Sequence, residues 1–350
     1  MRLHVDDGPD PHGWDRAVAS AGGTVFQSSA WAHYARAEQP SARPLYMSLV
    51  AEDGGVIGYA LGFSQQSSRP VLAHLNRRIW LDAAPVVPSE NTAVFLALIE
   101  AHARDWGAVD LHIGSFASLD MGGLLAGRGF RRRSRLEFEI PLTGSEAELF
   151  QGLGGVRRQT IRKAQRHGVS ICELSDAVGL AELRRLQAES ASRIVARGGP
   201  LVEARGNGNE PLRVLIEQGV GRVFVARLHE QVVSAGLFTY FNGLAYFAIA
   251  GHAREGLRAQ APALMLWEAM KFHKQLGATR FNLGGCGADA VLETSSEHGV
   301  YVYKKDFNGR ILSCTSGSKV LRPGMHRTLG FLKTMVSVLS ARMGRAKDQQ

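Results

Sequence analysis

Several stretches of this sequence carry side chains whose types and spacing could do chemistry. The segment "VYVYKKDFNG" (300–309) alternates valine and tyrosine, then sets Lys304 beside Lys305. That alternation predicts a half-buried strand, with one lysine facing inward and the other outward. An inward cation in a water-poor cleft would stabilise negative charge growing on a carbonyl oxygen. An edge-strand lysine that blocks aggregation is the plainer use of such a residue. His252 follows the apolar "YFAIAG" and could act as a base, since imidazole titrates near neutral pH; it could equally cap a strand end. Cys286 in "LGGCGAD" invites a nucleophile reading, but no base lies beside it, and Asp289 on the same loop could orient or deprotonate an amine.

Two basic clusters point to an anionic partner. "VRRQTIRKAQR" (156–166) has helical spacing, with Ile161 and Ala164 on one face and Arg158, Arg162 and Arg166 on another, flanked by Arg157 and Lys163. Like charges so crowded repel one another unless an anion neutralises them, although a solvated surface helix would explain the pattern as well. "RGFRRRSR" (128–135) adds Arg128, Arg131, Arg132, Arg133 and Arg135 in a turn and strand. The whole chain has 41 Lys+Arg against 32 Asp+Glu, a net charge of +9, which suits nucleic acid, a phosphate-rich small molecule or an acidic membrane surface.

The elements that must position these residues alternate between strand and helix. "VIGYALGF" (56–63) reads as a strand after the turn "EDGG". "SENTAVFLALIEAHARDWG" (89–107) reads as a helix with Ser89 as N-cap and Gly107 beyond its C-terminus, leading into the strand 108–115. Residues 222–251 read as three strands joined by tight turns at His229-Glu230 and Asn242-Gly243. A helix over 261–277 and a strand over 278–285 follow. "HARDWGAVDLHIGS" and "HKQLGATRFNLGG" set helix end, Gly-Ala and strand in one order, with Gly107 matching Gly277 and Gly114 matching Gly284. A duplicated α/β unit follows.

With 350 residues and 45% apolar content the chain can bury two ordinary cores. Its three cysteines, Cys172, Cys286 and Cys314, show no paired spacing, which argues against a zinc site or disulfide framework and for a reducing compartment. "MRLHVDDGPDPHG" lacks the apolar run of a secretory leader, and the most apolar stretch (236–251) is too short to span a bilayer, so a cytoplasmic location is expected. No phosphate-binding loop or nicotinamide fingerprint is present.

In four places, in order, the sequence resembles the FemABX and FemAB-like family: "FQSSAWAHY" (26–34), "RRQTIRKAQRHGV" (157–169), "APALMLWEAMKFHKQLGATRFNLGG" (261–285) and "VYVYKKDFNG" (300–309). The resemblance implies an α/β protein with mixed sheets, built from two tandem GNAT-like domains. Residues 1–148 would form the first, on the acceptor side, and 171–322 the second, on the donor and catalytic side. A basic helix (149–170) would connect them, and a basic amphipathic helix (323–350) would follow. It implies an aminoacyltransferase that moves an aminoacyl group from tRNA to an amine, such as that of a peptidoglycan precursor, with no cofactor. The alternative is an acyl-CoA- or acyl-carrier-dependent N-acyltransferase, for example in exopolysaccharide metabolism.

By this resemblance Lys304 holds the lysine position of the acyl-transfer centre, and Tyr303, Phe307 and Asn282 belong to the substrate site with the basic helix. Asp289 and His252 are the further catalytic candidates. Two positions depart from the family pattern: Asn282 stands for an aspartate and Asn308 for a glycine. The stretch "LRAQAPAL" (257–264) lacks the glycines with which simple GNAT enzymes cradle the CoA pyrophosphate, and Pro262 has no N–H. That favours tRNA as donor. Either basic cluster could instead hold the phosphates of the acceptor. Trp31, Trp267 and Tyr301 read as packing, and the amphipathic 324–347 segment could dock on the protein or lie on the inner face of an anionic membrane.

Overall fold

The computed structural model describes residues 1–66, 76–118, 120–196 and 208–328. Twelve strands lie in one continuous mixed sheet: β1 (Arg2–Asp6), β2 (Arg43–Val50), β3 (Val56–Gln65), β4 (Arg78–Leu81), β5 (Asp110–Ile113), β6 (Arg131–Pro141), β7 (Ser170–Glu173), β8 (Gly221–Leu228), β9 (Gln231–Phe241), β10 (Leu244–His252), β11 (Arg280–Gly287) and β12 (Arg310–Val320). Their order across the sheet is β1-β2-β3-β4-β5-β12-β6-β11-β10-β9-β8-β7.

The two halves repeat one plan. Antiparallel strands lead to β4 in the first half and β10 in the second. A helix then crosses over, Thr92–Asp105 or Ala261–Gln275, and returns through β5 or β11, which pair parallel with β4 and β10. Gly107 and Gly277, with φ of +83° and +92°, stop the two helices in the left-handed conformation that glycine adopts without strain. Asn91 rather than Ser89 is the N-cap of the first of these helices, because residues 89–91 form a 3-10 turn before it. The strand pair β9/β10 turns at Asn242-Gly243, both at positive φ, as the sequence predicts.

The halves exchange their last strands. β6 closes the first half in sequence but lies between β12 and β11, while β12 comes from the end of the second half and pairs with β5. One buried cluster also spans both halves, joining Trp14, Phe26, Trp31 and Phe63 to Leu183, Leu212 and Leu237. Side chains from the first half are thereby carried into the centre of the second.

The largest departure from the sequence reading is at 300–309. Residues His298–Lys305 are an α-helix, not a strand. Valine and tyrosine favour strands only where a neighbouring strand offers a pleated surface, and tertiary packing decides otherwise here. Arg157 lies beneath the helix: its guanidinium is 4.0 Å from the Tyr303 ring, 4.5 Å from that of Phe307, and donates to the Tyr303 carbonyl at 2.7 Å. Asn308, at φ +56°, turns the chain out of the helix and donates to the Gly152 carbonyl, so the family's glycine is replaced without loss of the turn.

Candidate active site

β10 and β11 stay paired over only three residue pairs, Leu244–Tyr246 against Arg280–Asn282. Beyond them the register of β11 on β6 shifts and Gly284 takes a φ of +69°. A β-carbon there would lie 3.0 Å from the Phe247 carbonyl oxygen and 3.5 Å from Lys304 Nζ. The strands part at this point and open a cavity of about 1010 Å³ whose walls include Phe247, Ile249, His252, Pro262, Tyr303 and Lys304.

Lys304 answers which lysine turns inward. Its ammonium is half-buried in the cavity wall and donates to the Gly285 carbonyl at 3.0 Å, whereas Lys305 is exposed and lies against the Tyr301 ring. Burial pulls the Lys304 pKa down from 10.5 to about 8, with Arg135 pushing the same way against Cys286, Glu137 and Glu297. At neutral pH the group therefore remains largely a cation, and a half-dehydrated one. It can donate to a substrate oxygen without giving up much hydration.

Behind Lys304 lies a buried polar cluster. Glu137, on β6, is fully buried and accepts hydrogen bonds from Tyr246 Oη (3.0 Å), Asn282 Nδ2 (2.8 Å) and the Ala117 N–H (3.1 Å), with Arg135 3.3 Å away. Asn282 also accepts from the Gly284 N–H at 2.7 Å, holding the glycine where the strands part. An aspartate at 282 could not donate to Glu137, so the family's carboxylate would leave two acids facing each other. Thr239 and Tyr303 line the same cavity, and their hydroxyls are buried without a hydrogen-bond partner among the described residues.

A second cavity of about 700 Å³ adjoins the first, bounded by Trp80, His112, Arg133, Cys286, Glu297 and Ser316. The two share Trp31, Tyr34, Phe116, Arg135 and Gly285, so they meet beside Lys304. Trp31 does more than pack, because its indole N–H donates to Asp82 Oδ2 at 2.8 Å in the common wall.

The remaining sequence candidates fall in different places. His252 lines the larger cavity, but burial, helped by Arg193, pushes its pKa down to about 4, and its Nδ1 is 2.7 Å from Ser234 Oγ. An imidazole so reluctant to accept a proton is a weak base at neutral pH. Asp289 is exposed, accepts from Ser295 Oγ, and is not among the residues lining either cavity. Phe307 is buried against the Arg157 guanidinium rather than in a cavity wall.

The basic helix forms at Gly155–Arg166 but presents fewer charges than its sequence suggests. Arg157 is turned into the protein, and Arg158 donates to the carbonyls of Gln151 and Leu153. Arg162, Lys163 and Arg166 remain exposed. Glu137 and Tyr246 escaped the sequence reading because each sits in an apolar strand. The available signal was "LEFEIP", where Glu137 and Glu139 alternate with Phe138 and Ile140 on a strand buried on both faces. Among the described residues no cluster of three potential metal ligands occurs, and no helix is long and apolar enough to cross a membrane. The amphipathic segment expected at 324–347 lies outside the described residues from 329 onward.

Residues 155–305 match the family model described as an acetyltransferase (GNAT) domain. Comparison with curated proteins gives no match. Among solved structures, FemX aligns over 94% of this chain and 99% of its own at 14% identity, with a TM-score of 0.74. L-PGS from Bacillus licheniformis aligns over 97% and 99% at 14% identity, with a TM-score of 0.55. A tandem GNAT protein from the clavulanic acid biosynthesis pathway aligns over 91% and 98% at 10% identity, with a TM-score of 0.53. The chain thus has the tandem GNAT fold, and its likeness to FemX extends over nearly its whole length.

Proposed function

We propose that this protein is an acyltransferase that forms an amide by moving an aminoacyl group from tRNA to an amine. The observation that carries the reading is the Lys304 ammonium, held half-buried where β10 and β11 part and where two cavities meet. In the reaction the amine nitrogen attacks the ester carbonyl and a C–N bond forms. Negative charge gathers on the carbonyl oxygen, and the C–O bond to the tRNA ribose then breaks. Lys304 donates to that oxygen; removal of one such donor typically costs about 10²–10³ in kcat. The ester supplies the driving force, so no metal or redox group is required. The likeness to FemX supports a substrate of this class, and the acceptor would be a peptidoglycan precursor or another peptide-like amine.

The donor is inferred from the start of the 261–275 helix. Gln260 precedes it at φ +64°, Pro262 stands in its first turn, and the Ala263 N–H is already bonded to the Gln260 carbonyl. Pro262 has no N–H and that of Ala263 is already used, so few free N–H groups remain at this end of the helix to hold a pyrophosphate. The acetyltransferase family match favours acyl-CoA as the second reading. Binding of the purified protein to a charged total tRNA pool and to acetyl-CoA, at two salt concentrations, separates them. Tight, strongly salt-dependent tRNA binding without CoA binding is expected. Micromolar CoA binding with weak RNA binding would transfer the assignment to an acyl-CoA N-acyltransferase. The reaction would take place in the cytoplasm, with any lipid-linked acceptor met at the inner face of the membrane.

A further inference from the structure

Tyr246 Oη and Lys304 Nζ both lie beside Gly284. A β-carbon built on Gly284 would be 3.9 Å from Tyr246 Oη and 3.5 Å from Lys304 Nζ. The two groups offer that point opposite chemistry. Lys304 is a donor. Tyr246 gives its only proton to Glu137 and accepts from Arg135, which leaves its oxygen one further lone pair to offer the cavity. Glu137 is in turn fixed by Asn282 and the Ala117 N–H, and Arg135 stands beside it. The groups facing this carboxylate are Arg135 on its own strand, Tyr246 on β10, Lys304 on the 298–305 helix and Cys314 on β12. No step described so far uses the tyrosine or the carboxylate, yet the exchanged strand β6 delivers Glu137 to within one hydrogen bond of the cavity.

We propose that Tyr246 is a catalytic residue that relays a proton between the reacting amine and Glu137. This rests on the amide-forming reading above, with either donor. The attacking nitrogen passes one proton to Tyr246 Oη while the phenol proton moves to Glu137, so no phenolate accumulates. When the C–O or C–S bond breaks, Glu137 returns the proton through Tyr246 to the leaving oxygen or sulfur. The net change is amine plus ester, or thioester, giving amide plus alcohol or thiol. Burial beside Glu137 raises the Tyr246 pKa well above 10, as suits a hydroxyl that hands protons on rather than losing one to solvent.

The test uses the full chain, with radiolabelled charged total tRNA and [14C]acetyl-CoA as donors and an alanine-terminated peptide, a lysine peptide and an amino sugar as acceptors. Tyr246→Phe and Glu137→Gln are compared with the wild type on the pair it uses best. Tyr246→Phe should lower kcat about 10²- to 10⁴-fold with KM changed less than about threefold. Glu137→Gln should be similarly slow, and between about pH 6 and 7.5 its rate should rise more steeply than the wild type's, by up to about a further tenfold per pH unit beyond the acceptor amine's own titration, because hydroxide then does the work. Tyr240→Phe, whose hydroxyl bonds the Leu276 carbonyl away from both cavities, should match the wild type. A folded Tyr246→Phe within threefold of wild-type kcat overturns the relay but leaves the function standing. A Glu137→Gln profile parallel to the wild type overturns it too, reducing the carboxylate to a support. If the wild type moves no label from either donor to any acceptor, the functional reading falls and the relay with it.

Discussion

Replacing Lys304 by methionine separates what the ammonium does for chemistry from what it costs the fold. The side chain is half-buried and its pKa falls from 10.5 to about 8 in the folded protein. A fall of that size disfavours the charged form by roughly 3 kcal/mol. Partial contact with solvent and loss of the Gly285 hydrogen bond reduce what methionine can recover, so Lys304→Met should stabilise the protein by about 1–2 kcal/mol at pH 7. The sign with pH follows from linkage. The folded pKa lies below the unfolded one, so the penalty is fully present below about pH 8 and fades as pH rises toward 10.5. Urea unfolding at pH 7 and near pH 10 should show the variant ahead at the first and level with wild type at the second. Transfer activity should fall about 10²- to 10³-fold. Wild-type activity should itself decline as pH rises through about 8, when the ammonium loses its proton. A variant that is less stable at pH 7, or that transfers as fast as wild type, would refute the reasoning: Lys304 would then be a structural cation.

Arg157→Met should loosen the helix that carries Lys304. It removes a charge-assisted hydrogen bond and two ring contacts but also a buried charge, for a net loss of about 2–3 kcal/mol with lowered kcat; unchanged denaturation and activity would count against a supporting role. Asn282→Asp replaces a donor to Glu137 with a second carboxylate and should cost about 3 kcal/mol or more at pH 7, recovering as acid protonates one of the pair; an equally stable variant at pH 7 would contradict the hydrogen bonding described. His252 has a folded pKa near 4, so it contributes stability that is present above about pH 6.5 and lost as pH falls toward 4. His252→Gln should flatten that part of the stability profile, and an unaltered acid limb would show that another group is responsible. Changing Arg162, Lys163 and Arg166 together to glutamine should weaken tRNA binding and reduce its logarithmic salt slope by about 2–3; an unchanged slope would move the RNA contact elsewhere.

The sequence by itself determined what depends on local pattern. The Asn-Gly turn, the glycines after the two crossover helices and the strand, helix, strand order repeated in each half are all visible in it, because φ preference and apolar periodicity act over a few residues. Its motifs also carried the resemblance to FemABX proteins and drew notice to Lys304, although for a strand that turned out to be a helix. Tertiary structure alone decided which charges meet. Arg157 and Arg162 look alike in sequence, yet one is buried under two aromatic rings and the other is exposed. Glu137 and Tyr246 are 109 positions apart and become partners only because β6 crosses into the second half of the sheet. Strand exchange of this kind leaves no local trace, since each strand needs only the alternation of any buried strand. Its neighbours are chosen by the packing of the whole sheet.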